Sequence, residues 1–181
     1  KLAPPSSGTR ELAEQFKPTG TLEEWSKIAN FYNRPGLEPH ALALFFGFGS
    51  PLLKFIGPKQ NVKGALVHLK HNGSGSGKST AQMVVNSIFG NPDTLLLKQD
   101  DTYASKMHML GMMNSLAFTV DEITNEKPEL LSDYAYGFTS GRGKHRMEAQ
   151  TNKLRSNSTT WCNITITSGN ASVVDVLQEL K

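Results

Sequence analysis

Residues 73–80, Gly73-Ser74-Gly75-Ser76-Gly77-Lys78-Ser79-Thr80, decide the fold, because small residues followed by a lysine and two hydroxyls form a loop that holds phosphate. Backbone N–H groups of such a loop converge on phosphate oxygens, the lysine reaches the β- and γ-phosphates, and the next hydroxyl can ligate Mg²⁺. Here those two side chains are Lys78 and Ser79. The stretch matches the Walker A pattern and predicts nucleotide binding by Asn72, Gly73, Ser74, Gly75, Ser76, Gly77, Lys78, Ser79 and Thr80.

The surroundings of the loop support this interpretation. An apolar strand candidate, Ala65 to Leu69, enters the loop, and an amphipathic helix candidate, Ala81 to Phe89, leaves it. The alternative is a Gly/Ser-rich linker with a chance lysine, but linkers do not lie between a strand and a helix. One position departs from the pattern G-x-x-x-x-G-K-[ST], since its first glycine is replaced by Asn72. Asparagine tolerates left-handed backbone geometry, so we expect the turn to survive.

Length and composition bound the architecture. A chain of 181 residues with 38% hydrophobic content fits one globular domain with a sizeable core. The sequence begins without an initiator Met and stops at Lys181 inside an apparent helix, Ala171 to Leu180, so we expect a fragment truncated at its C-terminus. The most apolar run, Ala41 to Leu53, is short and interrupted by glycines, which favours a buried or half-buried helix over a membrane span.

The order of elements predicts three parts. Residues 1–19 are rich in proline, serine and glycine and are expected to be an extended leader or linker. Residues 20–58 are expected to be a helical segment that begins with Thr21 as N-cap and Glu24 three positions later. Its second helix is expected from about Pro39 to Phe48, resuming after Pro51. Residues 59–181 then form the core.

Within the core, strands and helices alternate. Thr94 to Lys98 is an apolar strand candidate, Asp101 can cap a helix through Tyr103 to Met113, and Ser115 to Val120 is a further strand. Such alternation is typical of an α/β domain with a parallel sheet. We therefore predict a three-layer α/β P-loop NTPase with a mostly parallel central sheet, preceded by a short helical segment.

Asp121 and Glu122 follow the strand candidate that ends at Val120. A carboxylate at the end of a buried strand beside the phosphate loop can hold Mg²⁺, and the next acid can deprotonate the attacking water. Strands often end in acidic turns, so the pair alone is weak. Its place two strands after the Walker A loop predicts a Walker B pair, with Ser79 and Asp121 on the metal and Glu122 as catalytic base.

A later strand candidate, Trp161 to Thr167, ends in polar residues. At the end of a strand that neighbours both Walker strands, such side chains can contact the γ-phosphate or the lytic water. Asn170 is the first choice for this sensor position, and Thr167 and Ser168 are the next. The alternative is that Asn170 is an ordinary N-cap of the helix that follows.

Charge is concentrated between Ser140 and Arg155. The segment holds five basic residues and one acidic residue, Glu148, whereas the whole chain carries a net charge of +3. A basic loop of this kind either contacts nucleic-acid phosphates or is a solvated surface turn. The single Cys162 is compatible with a reducing cytoplasm.

Several motifs carry a family resemblance from about Gly20 to Ala171. In order they are GTLEEW (20–25), GSPLL (49–53), GSGKST (75–80), IFGNP (88–92), VDEI (120–123), YGFTSGRGKHR (136–146) and TSGN (167–170). This order resembles the ATPase module of phage and plasmid primase-helicases. The resemblance implies a RecA/AAA+-type domain that binds ATP and Mg²⁺ between subunits of a homo-oligomeric ring, with a hexamer favoured. The resemblance also implies that the ring translocates on DNA, with a single strand passing through its pore. It further implies that the protein is located in the cytoplasm of a bacterial host.

Ring ATPases of this kind need two further cationic groups, a pore loop on nucleic acid and an arginine finger on a neighbour's γ-phosphate. Arg142, Lys144 and Arg146 are the predicted DNA-binding residues, because the glycines around them allow a tight exposed turn. Arg155 is the candidate finger, although the finger can also lie beyond Lys181.

The predicted activity is hydrolysis of ATP to ADP and phosphate by the motor domain of a phage-type replicative DNA helicase. Lys78, Glu122 and Asn170 are the predicted catalytic residues. Two alternatives stay open. One is another DNA-linked ATPase, such as a viral packaging motor or a recombinase, and the other is a module that binds nucleotide for assembly without hydrolysing it.

Overall fold

The computed structural model describes residues 7–143 and 159–180. Two short 3₁₀ turns, Gly57–Gln60 and Ile123–Asn125, accompany the helices and strands. In chain order these are α1 (Ser7–Glu14), α2 (Leu22–Phe31), α3 (Glu38–Ile56), β1 (Gly64–Lys70), α4 (Lys78–Asn86), α5 (Pro92–Leu95), β2 (Leu96–Leu97), α6 (Tyr103–Met113), β3 (Phe118–Val120), α7 (Pro128–Thr139), β4 (Asn163–Gly169) and α8 (Val173–Gln178).

The strands form one parallel sheet in the order β1-β4-β3-β2. Strand β4, the last in sequence, lies between β1 and β3 and pairs with both, with Leu66 opposite Thr165 and Phe118 opposite the same Thr165. Since all strands are parallel, the residues that follow β1, β3 and β4 emerge at one edge. The predicted α/β class with a parallel sheet is confirmed.

Helices cover both faces of the sheet and enclose two apolar clusters. On one face, α3 and α4 pack against alternate residues of β1 and β4, in a cluster of Ala43, Ala81, Val85, Ala117, Ile164 and Ile166. On the other face, residues of α6, α7 and α8 form the larger cluster together with β3, and the cluster includes Leu110, Phe118, Val120, Leu131, Tyr134, Phe138 and Val173. The alternation of inward positions along each strand produces this three-layer arrangement.

The part of the chain before the sheet differs from the prediction at two places. Ser7–Glu14 is a helix, so the prediction of an extended leader is wrong for these eight residues. The boundaries of the three parts of the chain stay a prediction. Helix α3 is one continuous helix with Pro51 inside it. Tertiary contacts hold it there, because Ser50 Oγ donates to the Ser115 carbonyl at 3.0 Å and accepts the Ile164 N–H at 2.9 Å.

The start of α2 agrees with the prediction. Thr21 is its N-cap, and the Thr21 hydroxyl accepts the backbone N–H of Glu24 at 3.2 Å. The stretch Glu38–Gln60, which contains α3, is long and apolar enough by length and composition to cross a membrane. Its inner face packs on α4 and β4, and its outer face exposes large apolar side chains, among them Leu42, Phe45, Leu52, Phe55 and Ile56.

Two local predictions in the core are wrong for reasons of capping. The expected strand from Thr94 begins instead as helix α5, because the Asn91 side chain accepts the N–H groups of Asp93 and Thr94, and only Leu96–Leu97 remain as strand. Helix α6 is capped by Thr102 rather than by Asp101. Asp101 instead accepts the N–H of Lys98 at 2.8 Å and closes the turn before the helix.

Candidate functional site

The predicted phosphate loop connects β1, which ends at Lys70, to α4, which begins at Lys78. Gly75 and Gly77 have φ of 76° and 82°, in the left-handed region that glycine adopts without a Cβ penalty. Gly77 is also the N-cap of α4, so the free N–H groups of the first helical turn point toward the loop. All nine residues predicted to bind nucleotide, 72–80, lie in this loop or in that first turn.

Asn72 does not use the left-handed geometry that we considered for it. Among the described residues, the positive φ values outside glycine belong to Asn61, Asn114 and Glu122. The loop therefore closes with Asn72 in ordinary backbone geometry, and glycine is not required at that position.

Lys78 is 9% exposed, and its ammonium group is surrounded by neutral oxygens. Nζ donates to the carbonyls of His71 at 3.1 Å and Gly73 at 3.4 Å, and to Ser76 Oγ at 3.5 Å. A fourth bond goes to Asn170 Oδ1 at 3.1 Å. Buried charges in proteins are ordinarily paired with an opposite charge, so a buried cation with four neutral partners leaves the loop suited to an anion.

Asn170 lies one residue past the end of β4 and faces the phosphate loop through its bond to Lys78. The alternative interpretation of Asn170 as an N-cap does not hold, because Ser172 caps α8 and accepts the N–H groups of Val174 and Asp175. Asn170 is therefore not the cap of α8, and its side chain bonds to Lys78 instead.

The Walker B candidates are joined to β4 by Ser168, which is fully buried. The Ser168 hydroxyl donates to Asp121 Oδ1 and accepts the backbone N–H of Glu122 at 3.1 Å. Glu122 has φ of 55°, a left-handed conformation that is costly for a residue with a Cβ. Its Oε2 accepts a bond of 3.4 Å from Asn125. Ser168 thus fixes both acids at the edge of the sheet.

Ser79 and Asp121 are the residues that could hold a metal. Ser79 lies in the first turn of α4 and Asp121 directly follows β3. Across residues 7–143 and 159–180, no group of three or more His, Cys, Asp or Glu side chains is arranged to hold a metal ion. The donor set of one hydroxyl and one carboxylate fits Mg²⁺, which proteins bind through one or two carboxylates together with substrate phosphates.

Three residues that the sequence did not single out also build the site. Gln82, fully buried on α4, donates to the carbonyls of Val120 at 2.9 Å and Ile166 at 3.0 Å. This bond pair fixes the helix of the phosphate loop against β3 and β4. A glutamine at a core position of an otherwise apolar helix face is the signal that would have pointed to it.

His40 connects the helical segment to the phosphate loop. From the first turn of α3, its Nε2 lies 2.9 Å from the carbonyl oxygen of Ser76, and a Cβ at Gly77 would lie 2.8 Å from the same nitrogen. The ring also packs on Tyr32, with centroids 5.5 Å apart. No sequence pattern marked His40, because its partner is a backbone atom 36 positions away.

His68 lies on β1, and both of its ring nitrogens have partners. Nδ1 is 2.9 Å from Thr167 Oγ1 and Nε2 is 2.9 Å from the carbonyl oxygen of Ala171. Burial lowers the pKa of His68, and the nearby charge of Lys78 lowers it further, against the opposing effects of the Ala171 carbonyl and Glu122. Thr167, the second choice for the sensor, is thus a partner of His68.

Only residues 140–143 of the basic segment are described. Arg142 is exposed and pairs with Thr160 in an isolated antiparallel bridge, and the N–H of Gly143 donates to the Thr159 carbonyl at 3.0 Å. The residues on either side of positions 144–158 therefore lie side by side. Lys144, Arg146 and Arg155 lie outside the described residues.

Comparison with solved structures gives a fold relative. The chain is similar to a structure titled "SCCmec type IV Cch - active helicase", with 23% sequence identity and a TM-score of 0.62. The match covers 91% of this chain and 30% of that chain, so this domain spans about a third of the length of that protein. The likeness shows the fold and supports the P-loop NTPase-like architecture. No curated protein sequence matches the chain.

Comparison with protein families gives a match over most of the chain. Residues 5–159 match the family described as "Domain of unknown function (DUF927)". Since this match includes the phosphate loop, the Walker B candidates and the basic segment, the chain belongs to the DUF927 family.

Proposed function

We propose that this domain is the ATP-hydrolysing motor of a phage-type replicative DNA helicase, working as an oligomeric ring on DNA. The observation that carries the proposal is the contact of Asn170 with Lys78, at an edge where Ser168 also holds Asp121 and Glu122. A cation, a polar sensor and two acids thus converge from three neighbouring strands. The likeness to a protein titled as an active helicase supports a helicase-related role.

The side chains fit the chemistry of phosphoryl transfer to water, which depends on positioning and on stabilising charge. Lys78 and the loop N–H groups stabilise negative charge on the phosphates. Mg²⁺ held by Ser79 and Asp121 would offset the charge of the β- and γ-phosphates. Glu122 accepts the proton of the attacking water, and the left-handed backbone at this residue sets the direction of its carboxylate.

Asn170 has two roles open to it in this arrangement. In the structure its amide oxygen accepts from Lys78, and its amide N–H₂ remains a donor. When Lys78 turns to a γ-phosphate, the amide can donate to the same phosphate or hold the lytic water. The contact therefore supports the assignment of Asn170 as the residue that senses whether a γ-phosphate is present.

The proposals that this domain binds DNA and assembles into an oligomer rest on the basic segment. Arg142, Lys144 and Arg146 are proposed to grip the nucleic-acid backbone in the pore, and Arg155 is the candidate finger on a neighbour's γ-phosphate. A finger supplied in trans makes turnover per subunit rise with protein concentration. A cytoplasmic setting, in a bacterial host, is part of the same proposal.

The test is a phosphate-release assay on the 181-residue chain, with and without single-stranded DNA, followed by strand displacement on forked DNA. We expect Mg²⁺-dependent release that DNA stimulates, activity per subunit that rises with concentration, and displacement of the annealed strand. DNA-stimulated turnover without displacement would favour a packaging motor or a recombinase. Nucleotide binding without any release would make the domain an assembly module.

A further inference from the structure

Asn170 itself is exposed, so packing does not fix the direction of its side chain. Its direction depends on the backbone turn that carries it. On one side of Asn170, the carbonyl of Gly169 accepts the N–H of His71 at 3.4 Å. On the other side, the carbonyl of Ala171 lies 2.9 Å from Nε2 of His68. The turn is thus tied to β1 and the phosphate loop at both neighbours of Asn170.

The His68 contact is the shorter and better defined of the two. A carbonyl oxygen can only accept, so Nε2 of His68 carries the proton. On the other side of the ring, Nδ1 lies 2.9 Å from Thr167 Oγ1, and burial lowers the pKa of the imidazole. One ring therefore joins β1 to β4 and to the residue that follows Asn170.

The register of the sheet explains the placement. His68 lies opposite Thr167 in the β1–β4 pairing, which brings its ring alongside the last residues of β4. From there the ring reaches past the end of the strand at Gly169 to Ala171. A side chain without a long-reaching donor at this position could not make the second contact.

We propose that His68 is a positioning residue for Asn170, which it aims at Lys78 and the γ-phosphate by holding the carbonyl of Ala171. The proposal rests on the proposed ATPase function. Its action is indirect, since the ring nitrogens of His68 bond to Thr167 and to the Ala171 carbonyl rather than to Lys78 or Asn170. Loss of His68 is then expected to slow the chemical step and to leave nucleotide binding nearly unchanged, because the loop and Lys78 stay in place.

The test is a double-mutant cycle on steady-state ATP hydrolysis. His68→Phe keeps ring volume and removes both hydrogen bonds, and we expect kcat to fall about 10- to 100-fold with KM changed by less than about 3-fold. His68→Gln places an amide donor near the Nε2 position and should restore much of the rate. In an Asn170→Ala background, His68→Phe should cost less than about 2-fold more. His108→Phe, at an exposed histidine of α6, is the matched control and should leave kcat unchanged.

Two kinetic results would overturn the inference. One is a kcat of His68→Phe equal to that of the wild type. The other is a loss in the double mutant equal to the product of the single losses, which would mean that His68 acts through the general stability of β1 and β4. Melting temperatures of all variants distinguish a positioning role from a general loss of stability. A positioning role predicts a lower rate without a matching decrease in melting temperature.

A second measurement does not depend on hydrolysis. Crystal structures of the wild type and His68→Phe should show the distance from Asn170 Oδ1 to Lys78 Nζ increasing from hydrogen-bond range to more than about 3.5 Å. An unchanged distance rejects the positioning role even if the wild type hydrolyses no ATP. Absence of turnover in the wild type would count against the proposed function alone.

Discussion

Asn170 accepts a hydrogen bond of 3.1 Å from Lys78, although the two residues are 92 positions apart in sequence. The sheet order explains the contact, because β4 lies between β1 and β3 and brings its last residues between the phosphate loop and the acids after β3. The three strand ends thus bring Lys78, Asn170 and the two acids to one edge of the sheet.

Replacing Lys78 with alanine removes the cation at the centre of the loop. We expect Lys78→Ala to bind ATP at least about 10-fold more weakly, since hydrogen bonds to charged groups contribute about 1.5–3 kcal/mol. Titration with a fluorescent ATP analogue measures the change. Lys98→Ala, at an exposed lysine after β2, is the control and should bind as the wild type does. Wild-type affinity in Lys78→Ala would remove the loop from the nucleotide site.

Replacing Glu122 with glutamine tests the catalytic base. The amide keeps the size of the side chain and cannot accept the proton, so Glu122→Gln should bind ATP and hydrolyse it at least about 10²-fold more slowly. Phosphate release and ATP affinity are measured on the same preparation. Glu129→Gln, at an exposed acid in α7, is the control. Turnover of Glu122→Gln at the wild-type rate would show that the base is another group.

Replacing Ser168 with alanine tests the link between β4 and the two acids. Ser168→Ala leaves the N–H of Glu122 without its acceptor and Asp121 without its donor, so we expect a loss of about 1–3 kcal/mol in unfolding free energy. Half-maximal nucleotide binding should also require more Mg²⁺. Urea unfolding and Mg²⁺ titrations give both values. Ser105→Ala, at an exposed position of α6, should change stability by less than about 0.5 kcal/mol. A variant as stable as the wild type would mean that the link contributes little.

The fold could be predicted from sequence because its signals are local. The phosphate loop, the apolar runs before it and after it, and Asp121-Glu122 each occupy a few consecutive residues, and together they predict a parallel α/β sheet. The predictions that failed involve competition between neighbouring residues, such as Asn91 turning the start of a strand candidate into α5, or Thr102 capping α6 in place of Asp101.

The connections within the site could not be predicted in the same way. His40, His68 and Gln82 bond to backbone atoms that lie 36 to 103 positions away. Every residue type has a backbone carbonyl, so the sequence does not indicate which residue is the partner. Continuation of α3 through Pro51 has the same origin, because contacts of Ser50 with two distant segments hold the helix in place.

Replacing His40 tests whether the helical segment belongs to the nucleotide site. His40 Nε2 holds the carbonyl of Ser76, next to the N-cap of α4. His40→Ala should weaken ATP binding about 2- to 10-fold, the worth of one hydrogen bond that orders the loop. His40→Gln, which offers an amide donor at a similar reach, should recover most of the affinity. Equal affinity in the wild type and His40→Ala would make the contact incidental.

Replacing Arg142, Lys144 and Arg146 together tests the basic segment. If these side chains grip the DNA backbone, binding is sequence-independent and falls with salt, at roughly 0.7–0.9 units of log-log slope per phosphate neutralised. The triple alanine variant should flatten that slope by about two to three units and abolish DNA stimulation of the ATPase, with ATP affinity nearly unchanged.

The matched control replaces three exposed lysines of the helical segment and its flanks, Lys17, Lys27 and Lys59, and should keep the wild-type slope. Both variants are compared at the same high protein concentration, because the proposed pore would gather several copies of the segment, whereas a monomer would bind DNA weakly. An unchanged slope in the first variant would leave the segment as a solvated surface turn.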